Sequence, residues 1–72
     1  MMGWQALANA IVAQAAKDYR AALCVLKKNR EDRNAMAAAM EVEDFFRSDG
    51  YQLLTDVDGD YLIERLRKEA AE

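Results

Sequence analysis

The sequence predicts an all-α fold, and three observations predict it. Proline is absent and the three glycines stand at positions 3, 50 and 59, so the strongest helix breakers are missing from the middle of the chain. Apolar residues recur at steps of three and four rather than two. Fourteen alanines, together with Leu, Gln, Lys and Glu, give high helix propensity throughout. The expected architecture is one domain over residues 1–72. It is an antiparallel hairpin of two long helices with a short helix and a C-terminal helix folded onto it, assembled as a homo-oligomer.

The first helix is expected over about 4–28. Trp4, Leu7, Ile11, Ala15, Tyr19, Ala22 and Leu26 step by three or four and form one face, widened by Ala8, Val12, Leu23 and Val25. Twenty-five residues span about 38 Å. A compact globule of this length has a radius of gyration of about 11 Å and a diameter near 29 Å. The helix must therefore protrude, pair with another long helix, or join an oligomer.

Asn29 to Arg33 is a polar break, where Asn29 ends the first helix and Asp32 caps the next. The second helix is expected over about 33–47, with Ala35, Ala39, Val42 and Phe46 on one face and Met36, Met40 and Phe45 beside it. Ser48 or Asp49 caps a short helix over about 50–55, with Leu53 and Leu54 turned inward. The last helix, about 58–70, sets Leu62, Leu66 and Ala70 on one stripe with Ile63 beside it. Asp58 and Asp60 sit at its positive end and Arg65, Arg67 and Lys68 nearer its negative end, which favours it.

Composition limits the chemistry. The chain has no His and one Cys, so the commonest general base, an internal disulfide and a thiolate zinc site are all excluded. Cys24, within an apolar stretch, is expected to be a buried inert thiol of a reducing compartment. The net charge of −3 argues against broad nucleic-acid binding. The longest uncharged run, Met1 to Ala16, is too short and too polar for a membrane span and has no basic start. Removing alanine leaves twenty-four apolar residues, a small core for a monomer.

Several clusters suggest a site before they are weighed. Asp56, Asp58 and Asp60 have the spacing of the first calcium-loop ligands. However, position six is Tyr61 where Gly is needed and position twelve is Arg67 where the bidentate acid belongs, so a helix cap is expected and no metal. Glu41, Glu43 and Asp44 read as a solvated helix face, since no His is present to complete a di-metal site. Lys27, Lys28, Arg30 and Arg33 form the one basic cluster, diluted by Glu31 and Asp32. No cofactor and no catalytic group is expected.

The candidate ligand site is Arg47, Ser48, Gly50 and Tyr51, joined by Tyr19 and Arg20. An arginine beside an aromatic ring suits a phosphate and a stacked base. Free backbone N–H groups at the start of the short helix add donors. The plainer reading makes Ser48 a cap, places Tyr51 in a small core, and pairs Arg47 with Asp44 or Asp49. Asp18 is expected to pair with a nearby cation. Trp4 is expected to anchor the core or a subunit interface, and Tyr61 and Arg65 to touch at i, i+4.

Ala10-Ile11-Val12, Asp18-Tyr19-Arg20, Glu43-Asp44-Phe45-Phe46-Arg47-Ser48, Leu54-Thr55-Asp56 and Asp58-Gly59-Asp60-Tyr61-Leu62-Ile63 together resemble short open reading frames in phages and prophages of Gram-positive gut bacteria. The likeness covers nearly the whole chain. Its most specific part is Phe45-Phe46-Arg47-Ser48 followed at fixed distance by the Thr55 to Ile63 segment. The resemblance implies a small viral protein acting in the host bacterial cytoplasm and carries over no site residue. Such proteins often act by occupancy. The leading expectation is an inhibitor of bacterial antiviral defence that sequesters a nucleotide-derived immune signal in a helical homo-oligomer. The alternatives are a protein that blocks a host defence nuclease in the anti-CRISPR manner, and a structural or DNA-binding helical module.

Overall fold

A computed structural model describes residues 3–71. Met1, Met2 and Glu72, the ends of the expected 1–72 unit, lie outside the described residues. The described residues form four helices joined by turns, with no strand among them: α1 at Trp4–Lys28, α2 at Arg33–Phe46, α3 at Asp49–Leu54 and α4 at Gly59–Ala71. Among them no helix is long and apolar enough to cross a membrane.

The boundaries follow from local chemistry. Asn29 leaves the helical region and its N–H still reaches the Val25 carbonyl at 2.8 Å, closing α1. The Asp32 carboxylate accepts from the Ala35 N–H at 2.9 Å and starts α2. Ser48 caps α3 by accepting from the Tyr51 N–H at 3.2 Å, and donates its own proton to the Phe45 carbonyl at 2.6 Å. Asp58 starts α4 by accepting from the N–H groups of Asp60 and Tyr61 at 2.8 and 3.4 Å. Arg47 stands outside α2 as its C-cap. α3 begins and ends one residue earlier than expected, and α4 begins and ends one later.

α1 packs on all three other helices, and α4 also packs on α2. α2 has 14 residues against 25 in α1, so it covers only part of it. The short α3 and the returning α4 take up the rest. The result is a rod of 43 × 21 × 21 Å with a radius of gyration of 12.8 Å, longer than a compact globule because α1 sets its length. The fully buried large side chains are Tyr19, Tyr51, Phe46, Ile63 and Leu66. Around them lie Ala16, Ala22 and Ala39, whose small side chains let the helices approach closely.

Four expectations about burial are corrected. The core face of α1 keeps Tyr19 and Ala22 from the expected stripe, but at its start runs through Ala8, fully buried, and half-buried Val12. Trp4, Leu7 and Ile11 are 59, 56 and 39% exposed, because α2 stops at Phe46 and only six-residue α3 reaches that end. Trp4 is therefore no core anchor. Cys24 is exposed, since it lies off the buried stripe. Leu53 is 77% exposed, while Tyr51 takes the inward position of α3 and Leu54 is half-buried.

Candidate functional site

The junction of α2, α3 and α4 is organised around Phe46. Its ring meets Tyr19 edge-on at 6.2 Å and Tyr51 edge-on at 5.4 Å, and Phe45 lies 5.7 Å away in a tilted contact. Such edge-to-face pairs add roughly 0.5–1.5 kcal/mol each beyond the area they bury. The close fit extends to the backbone. At Gly59 a β-carbon would stand 1.9 Å from the Phe46 carbonyl oxygen, so α4 can start where it does only on a glycine.

A polar network ties the outer side of this cluster. The Tyr19 hydroxyl donates to Glu43 Oε2 at 2.6 Å. Arg67 Nε donates to the same hydroxyl at 3.0 Å and Arg67 Nη2 to Glu43 Oε2 at 2.8 Å. Arg47 continues the chain, with Nη1 3.6 Å from Glu43 Oε1 and Nε 3.0 Å from Asp60 Oδ1. One residue of α1, one of α2, the α2 C-cap and two of α4 are thereby joined.

The titration of these groups follows from their surroundings. Burial raises the Tyr19 pKa, and the hydrogen bond it donates to Glu43 raises it further. Burial also pushes Glu43 upward. The hydrogen bonds from Tyr19 and Arg67 and the charges of Arg67 and Arg47 outweigh it, leaving Glu43 below the ordinary glutamate range. Arg67 is held more firmly protonated by its hydrogen bonds to Glu43 and Tyr19. Burial raises Tyr51 as well, and the nearby Asp58 charge adds to it.

The six candidate residues divide. Tyr19, Tyr51, Arg47 and Ser48 are brought together around Phe46. The rings of Tyr19 and Tyr51 are 0 and 1% exposed, so they fill the core and offer no open face for stacking on a base. The Tyr51 hydroxyl is buried with no hydrogen-bond partner among the described residues. Ser48 is the α3 cap, and its hydroxyl is already engaged on both sides. Gly50 is exposed in the first turn of α3, with only Ser48 Oγ near its Cβ position, at 3.7 Å. Arg20 lies apart from this group, paired with Glu69 at 3.3 Å. Arg47 and Arg20 keep their side chains about half exposed.

Other pairings differ from expectation. Arg47 pairs with Glu43 and Asp60 rather than Asp44 or Asp49, because its place at the end of α2 faces the start of α4. Asp18 accepts from Gln14 at 2.9 Å, one turn earlier, rather than from a cation. Arg65 does reach Tyr61, donating to its hydroxyl at 3.2 Å. Glu43, Arg67 and Asp60 escaped notice as site residues because each reads as a solvated charge in sequence. Tyr19 held the usable signal: a tyrosine on a core stripe must find a partner for its hydroxyl.

A second feature lies away from this network. Ala10, Ile11, Gln14, Ala15 and Asp18 of α1 and Glu41, Val42 and Phe45 of α2 line an open groove of about 490 Å³ to which α4 contributes nothing. Its floor is apolar and its two acids lie among the lining residues. Exposed Leu7 and Trp4 continue the same side of α1 toward its start.

No family model matches the chain, and no curated protein or solved structure shows significant similarity to it.

Proposed function

We propose that this chain acts by occupancy, as a phage-encoded inhibitor of bacterial antiviral defence that sequesters a nucleotide-derived signal in a helical homo-oligomer of the host cytoplasm. The single observation that carries it is the exposed, uncharged apolar side of α1, Trp4, Leu7 and Ile11, running into the α1–α2 groove. An apolar strip of this kind on a chain with few large buried side chains marks an association surface. The phage setting rests on the sequence resemblance alone.

In this reading α1 and α2 form an antiparallel hairpin. The Asn29–Asp32 turn supports it, as does the meeting of Tyr19 with Glu43 and Phe46. Phosphate groups of the ligand go to Arg47 and, at a separate position, to Arg20, which are half exposed and held by the surface acids Asp60 and Glu69. A phosphate offers the guanidinium the same two-oxygen geometry as the carboxylate it displaces, and a terminal phosphate carries more charge. The pocket is completed between copies, and base recognition falls to residues other than Tyr19 and Tyr51.

The second reading is a protein that blocks a host defence nuclease. The exposed acids Glu41, Asp44, Asp56 and Asp58 favour it, as stand-ins for nucleic-acid phosphates. Native mass spectrometry of the protein purified from bacterial cytosol separates the two. A discrete oligomer carrying a few hundred daltons (order of magnitude) per site, lost in Arg47→Ala, is the expected result. A ligand-free protein that co-purifies with a nuclease, or a ligand retained unchanged by Arg47→Ala, overturns it.

A further inference from the structure

One side of α1 carries a line of exposed residues, Trp4, Leu7, Ile11, Gln14 and Asp18, which resumes at Val25 after the buried Ala22. Their spacing of three, four or seven keeps them on one face. From Trp4 to Ala16 this helix has no charged residue, and Asp18, the one charge on the line, is hydrogen-bonded by Gln14. Charge is also unevenly placed along the rod. Asp56 shares a surface with Trp4 where α3 lies against the start of α1, and Asp49 and Asp58 stand at the starts of α3 and α4. Lys28, Arg30 and Arg33 cluster at the opposite turn, where cations outnumber Glu31 and the capping Asp32.

We propose that the partner of this face is a second copy of the chain, laid antiparallel along α1. Antiparallel seating brings the acidic end of one copy beside the basic turn of the other, whereas parallel seating sets like charge against like. Matching the two apolar ends of the line, Trp4 of one copy to Val25 of the other, places the two-fold axis near Gln14–Ala15. Phe45 and Val42, on the α2 wall of the groove, then border the contact. A strip about 37 Å long and about 11 Å wide covers on the order of 800 Å² over both copies, below the roughly 1,200 Å² at which stable interfaces begin. The pair is therefore one that separates on dilution. The inference rests on the homo-oligomer of the proposed function and on no ligand.

Sedimentation of the purified chain across the micromolar range tests it. The expected mass rises with concentration from 8.1 kDa toward twice that value and falls back as salt is added. Ile11→Glu is expected to shift the equilibrium at least about tenfold toward monomer with the far-ultraviolet dichroism of the helices unchanged, since Ile11 is outside the core. In a Cys24→Ala background, Gln14→Cys is expected to cross-link between copies under mild oxidation and Val25→Cys is not. A monomer at every concentration, a dimer indifferent to Ile11→Glu, or equal cross-linking at both positions overturns the pairing. A dimer that binds no nucleotide sinks the sequestration reading and leaves this pairing standing. A monomer that holds a nucleotide does the reverse.

Discussion

Tyr19 donates its hydroxyl to Glu43 over 2.6 Å, and so fastens α1 to α2 beside the aromatic cluster. The Tyr51 hydroxyl, in the same cluster, has no hydrogen-bond partner among the described residues. Two changes of one oxygen atom should therefore act in opposite directions. Tyr19→Phe strands part of the hydrogen-bonding capacity of Glu43 and costs about 1–2 kcal/mol. Tyr51→Phe removes an unsatisfied buried hydroxyl and is neutral or stabilising. For a domain of this size, 1 kcal/mol moves the melting midpoint by roughly 4–8 °C. Thermal melts of the two variants check this, and a larger loss in Tyr51→Phe would contradict it.

The Glu43 network also gives the fold a stabilisation that acid removes. Because its pKa in the folded chain lies below the ordinary value of about 4.3, the network stabilises above that value. That stabilisation fades as pH falls through the folded-state pKa. With no His present, no side chain of ordinary pKa titrates between about pH 6 and 8. Melting midpoints should be level across that window and fall below about pH 4.3. In Glu43→Gln the plateau should be lower and the acid slope shallower. An acid slope identical in the two proteins would place the sensitivity elsewhere.

Gly59 gives the sharpest test of the packing. Gly59→Ala puts a methyl group 1.9 Å from the Phe46 carbonyl oxygen, and a backbone atom cannot swing aside. The start of α4 must move, at a cost of at least about 2–3 kcal/mol. Gly50→Ala meets only Ser48 Oγ at 3.7 Å, and replacing a helical glycine there gains up to about 1 kcal/mol. Chemical denaturation of the two variants reads this contrast directly.

Period and punctuation made the helices legible. Asp32, Ser48 and Asp58 each begin a helix in the sequence and accept from its first N–H groups in the structure. Which side of α1 is covered was not legible. Ala8 and Leu7 are adjacent, both lie on an apolar arc, and only the lengths of α2 and α3 decide between them. The site was legible in part. Arg47, Ser48, Tyr51 and Tyr19 do converge, but the pattern that brings an aromatic near a cation is the same whether the ring faces a ligand or the core. The ion pairs Arg67–Glu43 and Arg47–Asp60 span long stretches of sequence and leave no local trace.

Trp4 is the one tryptophan of the chain, and it stands 59% exposed at the start of α1. Its emission therefore reports what touches that end of the helix and is nearly blind to melting of the core. The optical signature of the folded state belongs to Tyr19 and Tyr51, whose rings are immobilised edge-on against Phe46. Tyrosine dichroism in the near ultraviolet follows the fold, while tryptophan fluorescence follows company at its surface.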